Sequence, residues 1–175
     1  MFSDNSLLPK ETVRLAALGF LSERRLAYAD LANAVRRFVG RIAGPSLELT
    51  GPSIELLRYE GLVEPDTDDK DALLRLTDEG RVELVALLQA TVRPPLTDMS
   101  KLVIALKMRF LDLLEAEARR DQAELMIDAC ELELARLTDL HGEEPGGVYF
   151  HDWLAHDIDL VVARLAWLRA FRDRV

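Results

Sequence analysis

Five arginines stand close together between residues 24 and 41: Arg24, Arg25, Arg36, Arg37 and Arg41, with Asp30 the only carboxylate from one end of the segment to the other. Guanidinium groups at that density do one of two things. They solvate an exposed helix face, or they neutralise phosphates, which is the sequence-independent part of nucleic-acid affinity. The residues alone leave both readings open. A second set lies just downstream. Thr50 and Ser53 flank the start of a short helical pattern, where hydroxyls can donate to phosphate, and Arg58 is that pattern's one cation. Thr50 serves equally well as an N-cap.

Other side chains with chemical reach are less organised. His151, Asp152, His156, Asp157 and Asp159 gather at the start of a helical pattern. His156 and Asp159 share a helix face, whereas His151 and Asp152 do not. No third ligand is suitably spaced, so a polar first turn is expected and no metal site. Cys130 is the only cysteine. It excludes an intrachain disulfide, and its apolar helical context suits a small buried hydrophobe better than a thiol sensor. Trp153 and Trp167 could stack on a flat ligand or simply fill an interface. A Gly-rich phosphate loop, a nucleophile elbow and a two-histidine zinc helix are all missing from the sequence. No enzyme and no cofactor are expected.

The elements that hold these residues follow from spacing. Lys10 to Glu23 carries Val13, Ala16, Ala17, Phe20 and Leu21 at helical intervals, and Tyr28 to Ile42 carries Leu31, Ala34, Val35 and Phe38. Pro52 opens a third helix that buries Ile54 and Leu57 and stops at Gly61. Leu62 to Glu64 and Ala72 to Leu76 read as short strands around an Asp-rich turn. Thr77 caps a fourth helix. Arg93-Pro94-Pro95 breaks the chain. Beyond it, Asp98 to Leu140 has no Pro or Gly, with a bend expected in the polar stretch Glu115 to Glu124. After Pro145-Gly146-Gly147, a final helix runs from about His151 to Arg174. It is apolar around much of its girth, so it needs a partner on two sides.

Apolar residues make up 49% of the chain and charged residues 30%, enough for a folded core. The net charge of −9 argues against nucleic acid for the chain as a whole. A local basic face is nevertheless enough to dock a duplex. Met1 to Lys10 lacks the pattern of a signal peptide, and no run approaches the roughly 20 apolar residues of a membrane span. No membrane association and a cytoplasmic location are expected.

Three helices, two short strands and a helix form the element order of a winged helix-turn-helix. Residues 13 to 83 resemble the PadR-like winged-helix domain. Arg14-Leu15-Ala16-Ala17-Leu18-Gly19-Phe20-Leu21 is similar to that family's opening helix, and Leu57 with Gly61-Leu62-Val63 to the end of its recognition helix and first wing strand. Leu74-Arg75-Leu76-Thr77-Asp78-Glu79-Gly80-Arg81 is similar to its second wing strand and following helix. The final helix, with Ala166-Trp167-Leu168, is similar to its dimerisation region. Two features depart from the pattern. Gly51 stands where the family often has Tyr. The wing reads Asp66-Thr67-Asp68-Asp69-Lys70-Asp71, where the family usually has cations. Carboxylates beside phosphates repel, so this wing is a poor phosphate clamp.

The resemblance implies a mainly α protein, a winged helix-turn-helix with a two-stranded β wing over residues 1–93 and a C-terminal helical dimerisation domain over 96–175. It implies a dimeric DNA-binding transcriptional regulator, a repressor, with double-stranded DNA, a second copy and a small-molecule effector as partners. Arg36, Arg37, Arg41, Thr50, Ser53, Arg58 and Lys70 are the DNA-contact candidates. Leu154, Ile158, Val161, Leu165, Trp167 and Leu168 are the dimer candidates, and Trp153 and Trp167 the ligand candidates. The alternative is a winged-helix dimer with weakened DNA binding that offers its acidic wing to a basic protein surface.

Overall fold

The computed structural model describes residues 7, 9–44, 52–67, 72–92, 97–143 and 147–175. Its elements are α1 (Pro9–Glu23), α2 (Tyr28–Ile42), α3 (Pro52–Tyr59), β1 (Val63–Pro65), β2 (Leu74–Leu76), α4 (Asp78–Gln89), α5 (Asp98–Phe110), a 3-10 turn (Leu111–Leu113), α6 (Ala116–Glu143) and α7 (Val148–Arg172).

Helix α1 is the hub. Every residue from Thr12 to Leu21 except Arg14 is buried. A helix apolar around its girth belongs inside, and α1 touches α2, α3, α4, α5 and β2. Arg14 is its one polar outlet. It binds Glu60 at 2.6 Å, just beyond α3, and Glu83 of α4 at 2.9 Å, tying both helices to α1.

The wing is a two-stranded antiparallel ribbon with Glu64 opposite Arg75. A bridge from Leu26 to Leu74 fastens it to the segment before α2. Its base depends on Thr77 and Gly80. The Thr77 hydroxyl accepts from the Gly80 amide at 3.0 Å and donates to the Gly61 carbonyl at 2.8 Å. A Cβ on Gly80 would lie 2.0 Å from the Leu62 carbonyl oxygen, so only glycine lets α4 approach the strand this closely. Gly61 adopts φ +74°, the left-handed conformation that ends α3.

Three details differ from the sequence reading. The strand β2 starts at Leu74, because the Asp66 carboxylate accepts from the Leu73 amide and holds that residue in the turn. The break in the long helical region falls at 111–115, ahead of the polar stretch. There the buried Leu111 and Leu114 turn into the first core. Helix α7 begins at Val148, three residues before His151.

The boundary after residue 93 does not separate two cores. Leu102, Leu106, Phe110, Leu111 and Leu114 all join the α1-centred core, so α5 completes the winged-helix unit. The projecting part is a hairpin of α6 and α7. Its contacts are Met126, Ile127 and Cys130 against Leu165 and Leu168, then Leu137 against Leu154 and Val161. Lys107 sits where the two parts meet. It is fully buried, and its ammonium donates to the Leu88 and Ala90 carbonyls at the end of α4 and, at 2.7 Å, to Gln122 Oε1 of α6. Among the described residues, no helix is long and apolar enough to cross a membrane.

Candidate nucleic-acid interface

Helix α3 is held by Ile54 and Leu57, both 1% exposed. The helical period therefore turns Glu55, Leu56, Arg58 and Tyr59 outward, and all four are exposed. Tyr59 reaches 90% exposure. An eight-residue helix with a two-residue anchor and an outward aromatic and cation can enter a groove about 12 Å wide. Its neighbour is the start of α2. Burial, and then the nearby Glu55 carboxylate, push the Tyr28 hydroxyl above the usual phenol range.

The arginines of α2 do not share one face. Arg36 stands about 100° round the helix from Arg37, and about 140° from Arg41. Arg36 is exposed and donates to Asn33 Oδ1 at 2.9 Å. Arg37 and Arg41, one turn apart, line a groove with Phe20 and Arg109 on the flank that meets α5. The basic segment read as one patch is thus two. Thr50, Lys70 and the side chain of Ser53 lie outside the described residues.

Charge is distributed unevenly. On the wing, Arg75 is bound to Glu64 at 2.7 Å, and Arg25 to Asp66 at 3.4 Å. Arg24, Arg36, Arg37, Arg41 and Arg58 have no ion pair among the described residues. Five cations on or beside α2 and α3 are therefore still able to meet an external anion, whereas Arg75 and Arg25 on and beside the wing are already neutralised.

The dimer candidates divide in the same way. Leu154, Val161, Leu165 and Leu168 are buried against α6 within the same chain, and Ile158 packs beside them. This corrects their assignment to a partner-facing surface: the hairpin consumes them. Trp167 stays half exposed. With it, on a flank of α7 roughly 100° round from the α6-facing residues, are Tyr149, Trp153 and Leu160 at 89%, 54% and 50% exposure. Trp153, Leu160 and Trp167 recur every seven residues, a heptad seam whose spacing was legible but passed over. Trp153 stacks on Phe150 and Trp167 on Phe171. The two indoles are about 21 Å apart along the helix, so within one chain they form no shared ligand pocket.

His151 meets His141 of α6 edge-on at 5.1 Å between centroids. Among the described residues no three His, Cys, Asp or Glu side chains cluster as a metal site would require. Cys130 is fully buried, and burial pushes its thiol upward, away from the reactive thiolate.

The family described as "Putative AphA-like transcriptional regulator" matches residues 2–172. No curated protein matches. Among solved structures, the chain is similar to the crystal structure of Bacillus subtilis PadR, at 19% identity over 95% of this chain and 96% of that one, with a TM-score of 0.41. The structure of that protein in complex with operator DNA gives 18% identity, 92% and 97% coverage and a TM-score of 0.38. Its complex with p-coumaric acid gives 17%, 93%, 98% and 0.38.

Proposed function

Since this chain belongs to the AphA-like transcriptional regulators, we propose that it is a dimeric winged-helix repressor that reads double-stranded DNA with α3. The observation that carries this reading is the outward face of α3, with Arg58 and Tyr59 exposed and Arg58 unpaired among the described residues. Arg36 adds backbone attraction from α2. The wing contributes little, because its Asp-rich turn repels phosphate and Arg75 is bound to Glu64.

Dimerisation completes the reading. The Tyr149, Trp153, Leu160 and Trp167 stripe is an exposed apolar seam on a 25-residue helix. Monomeric proteins rarely leave such a patch open to water. Ala163 and Ala170 lie on the same flank and allow a second helix to come close. Pairing two α7 helices places two α3 helices on successive major grooves, about one helical turn apart.

The test is a gel shift with genomic fragments at low salt. The wild-type chain retards a subset of fragments, and Arg36→Ala with Arg58→Ala weakens that binding at least tenfold. Each arginine removed also lowers the slope of log affinity against log salt by about 0.9. Absence of any shift, or a variant that binds as the wild type does, removes the DNA reading. A second reading then takes over, favoured by the self-neutralised ribbon and the acidic turn: the wing docks on a basic protein surface.

A further inference from the structure

Helix α3 carries an apolar pair at the middle of its outward face. Ile54 and Leu57 are buried and anchor the helix from below. Tyr59 stands about 140° round the helix from Ile54, and Leu56 about 160°, so the two share the far side, about 60° apart. Leu56 is 45% exposed and Tyr59 almost fully so. Glu55 is exposed beside Tyr59, and the exposed Arg58 lies on the same flank, about 100° from Tyr59. The cation of α3 therefore sits at the edge of the face and the leucine near its middle.

Folding gives no reason for this side chain. Leu56 is not part of the α1-centred core, and what α3 uses of it is main chain: its carbonyl accepts from the Glu60 amide at 2.9 Å. A single exposed leucine is ordinary. This one shares its face with Tyr59, one turn on, and that face is the one a major groove would receive. A leucine offers nothing to a phosphate or to the donors and acceptors of a base edge. The major groove presents one apolar group it can touch, the C5 methyl of thymine.

We propose that Leu56 is a specificity-determining residue: it selects half-sites that place a thymine methyl against it, and Tyr59 screens that contact from water. The proposal rests on the reading of α3 as the DNA-recognition helix and adds what that helix prefers. The arginines supply attraction that is blind to sequence, whereas a methyl contact distinguishes one base from the other three.

The probe is a duplex that the wild-type chain retards, made with thymine and then, one position at a time, with deoxyuridine, which pairs identically and lacks only the methyl. Losing one buried methyl is expected to weaken wild-type binding about fourfold at one position in each half-site. Leu56→Ala is expected to bind the thymine and uracil duplexes equally there. Alanine is at least as good a helix former as leucine, so this variant keeps its fold, which circular dichroism verifies. Leu132→Ala, at an exposed position of α6, is expected to discriminate as the wild type does. Three results overturn the proposal: a wild-type chain indifferent to every methyl, a discrimination that persists in Leu56→Ala and so belongs to the shape of the duplex, or an equal loss with Leu132→Ala. A chain that retards no duplex removes the DNA reading and this proposal with it. A chain that binds DNA but ignores the methyls removes this proposal alone.

Discussion

Lys107 shows how one residue can set a pH dependence. Its three N–H donors meet three oxygens, from Leu88, Ala90 and Gln122, which favour the charged form. Burial opposes them and pulls the ammonium down to about 7. In the unfolded chain the same group titrates near 10.4. Between those values the unfolded state holds a proton that the folded state has released, so unfolding takes up a proton. Raising the pH from 7 towards 10 therefore stabilises the fold through this group, by up to about 1.4 kcal/mol per pH unit. Below pH 7 both states are charged and the contribution is flat. Urea titrations at pH 6, 8 and 9 will show this rise in the wild type and its loss in Lys107→Met. Equal pH slopes in the two proteins would show that Lys107 keeps its proton in the fold. Nothing in the sequence marks this lysine, since Ala105, Leu106 and Met108 beside it read as ordinary core and only the end of α4 explains its burial.

At the scale of elements, the wing is where local charge and expected function part. Glu64 and Arg75 are partners across the ribbon and bind at 2.7 Å, both about half exposed. Such a pair adds little stability, on the order of 0.2–1 kcal/mol, but it withdraws a guanidinium from DNA. Glu64→Gln keeps the fold and frees Arg75. Affinity for a non-cognate duplex is expected to rise about fivefold in dilute buffer, by anisotropy, and the gain is expected to vanish at high salt. An unchanged affinity would mean that the wing does not reach the backbone. The elements themselves were largely legible. Periodic Leu and Ala marked α1 and α2, Gly61 marked the end of α3, and Thr77 with Gly80 marked the start of α4. What the sequence hid was three-dimensional sidedness. Arg36 and Arg37 are adjacent in the chain, yet they face different neighbours, because α5 returns to cover one flank of α2. The same return packs Phe110 over Gly19, where a Cβ would come within 2.2 Å of its ring.

At the scale of the whole molecule, the chain is an α1-centred winged-helix unit and an α6–α7 hairpin. Helix α7 spends one face on α6 and leaves the other, the Trp153, Leu160 and Trp167 seam, open. The apolar girth of that helix implies two partners; the hairpin supplies one and buries Leu154, Val161, Leu165 and Leu168, whereas Trp167 stays half exposed. Leu160→Glu puts a charge at the centre of the seam without touching the α6 contacts. Sedimentation is expected to show a dimer for the wild type and a monomer for the variant, with helix content unchanged. A variant that remains dimeric would place the interface elsewhere. The two α3 helices of such a dimer must meet DNA together, and hydroxyl-radical footprinting on a fragment selected by the wild-type chain measures this directly. The account predicts two symmetric protected patches about 10 base pairs apart, both lost with Arg58→Ala. A single patch, or protection that survives that substitution, would contradict it.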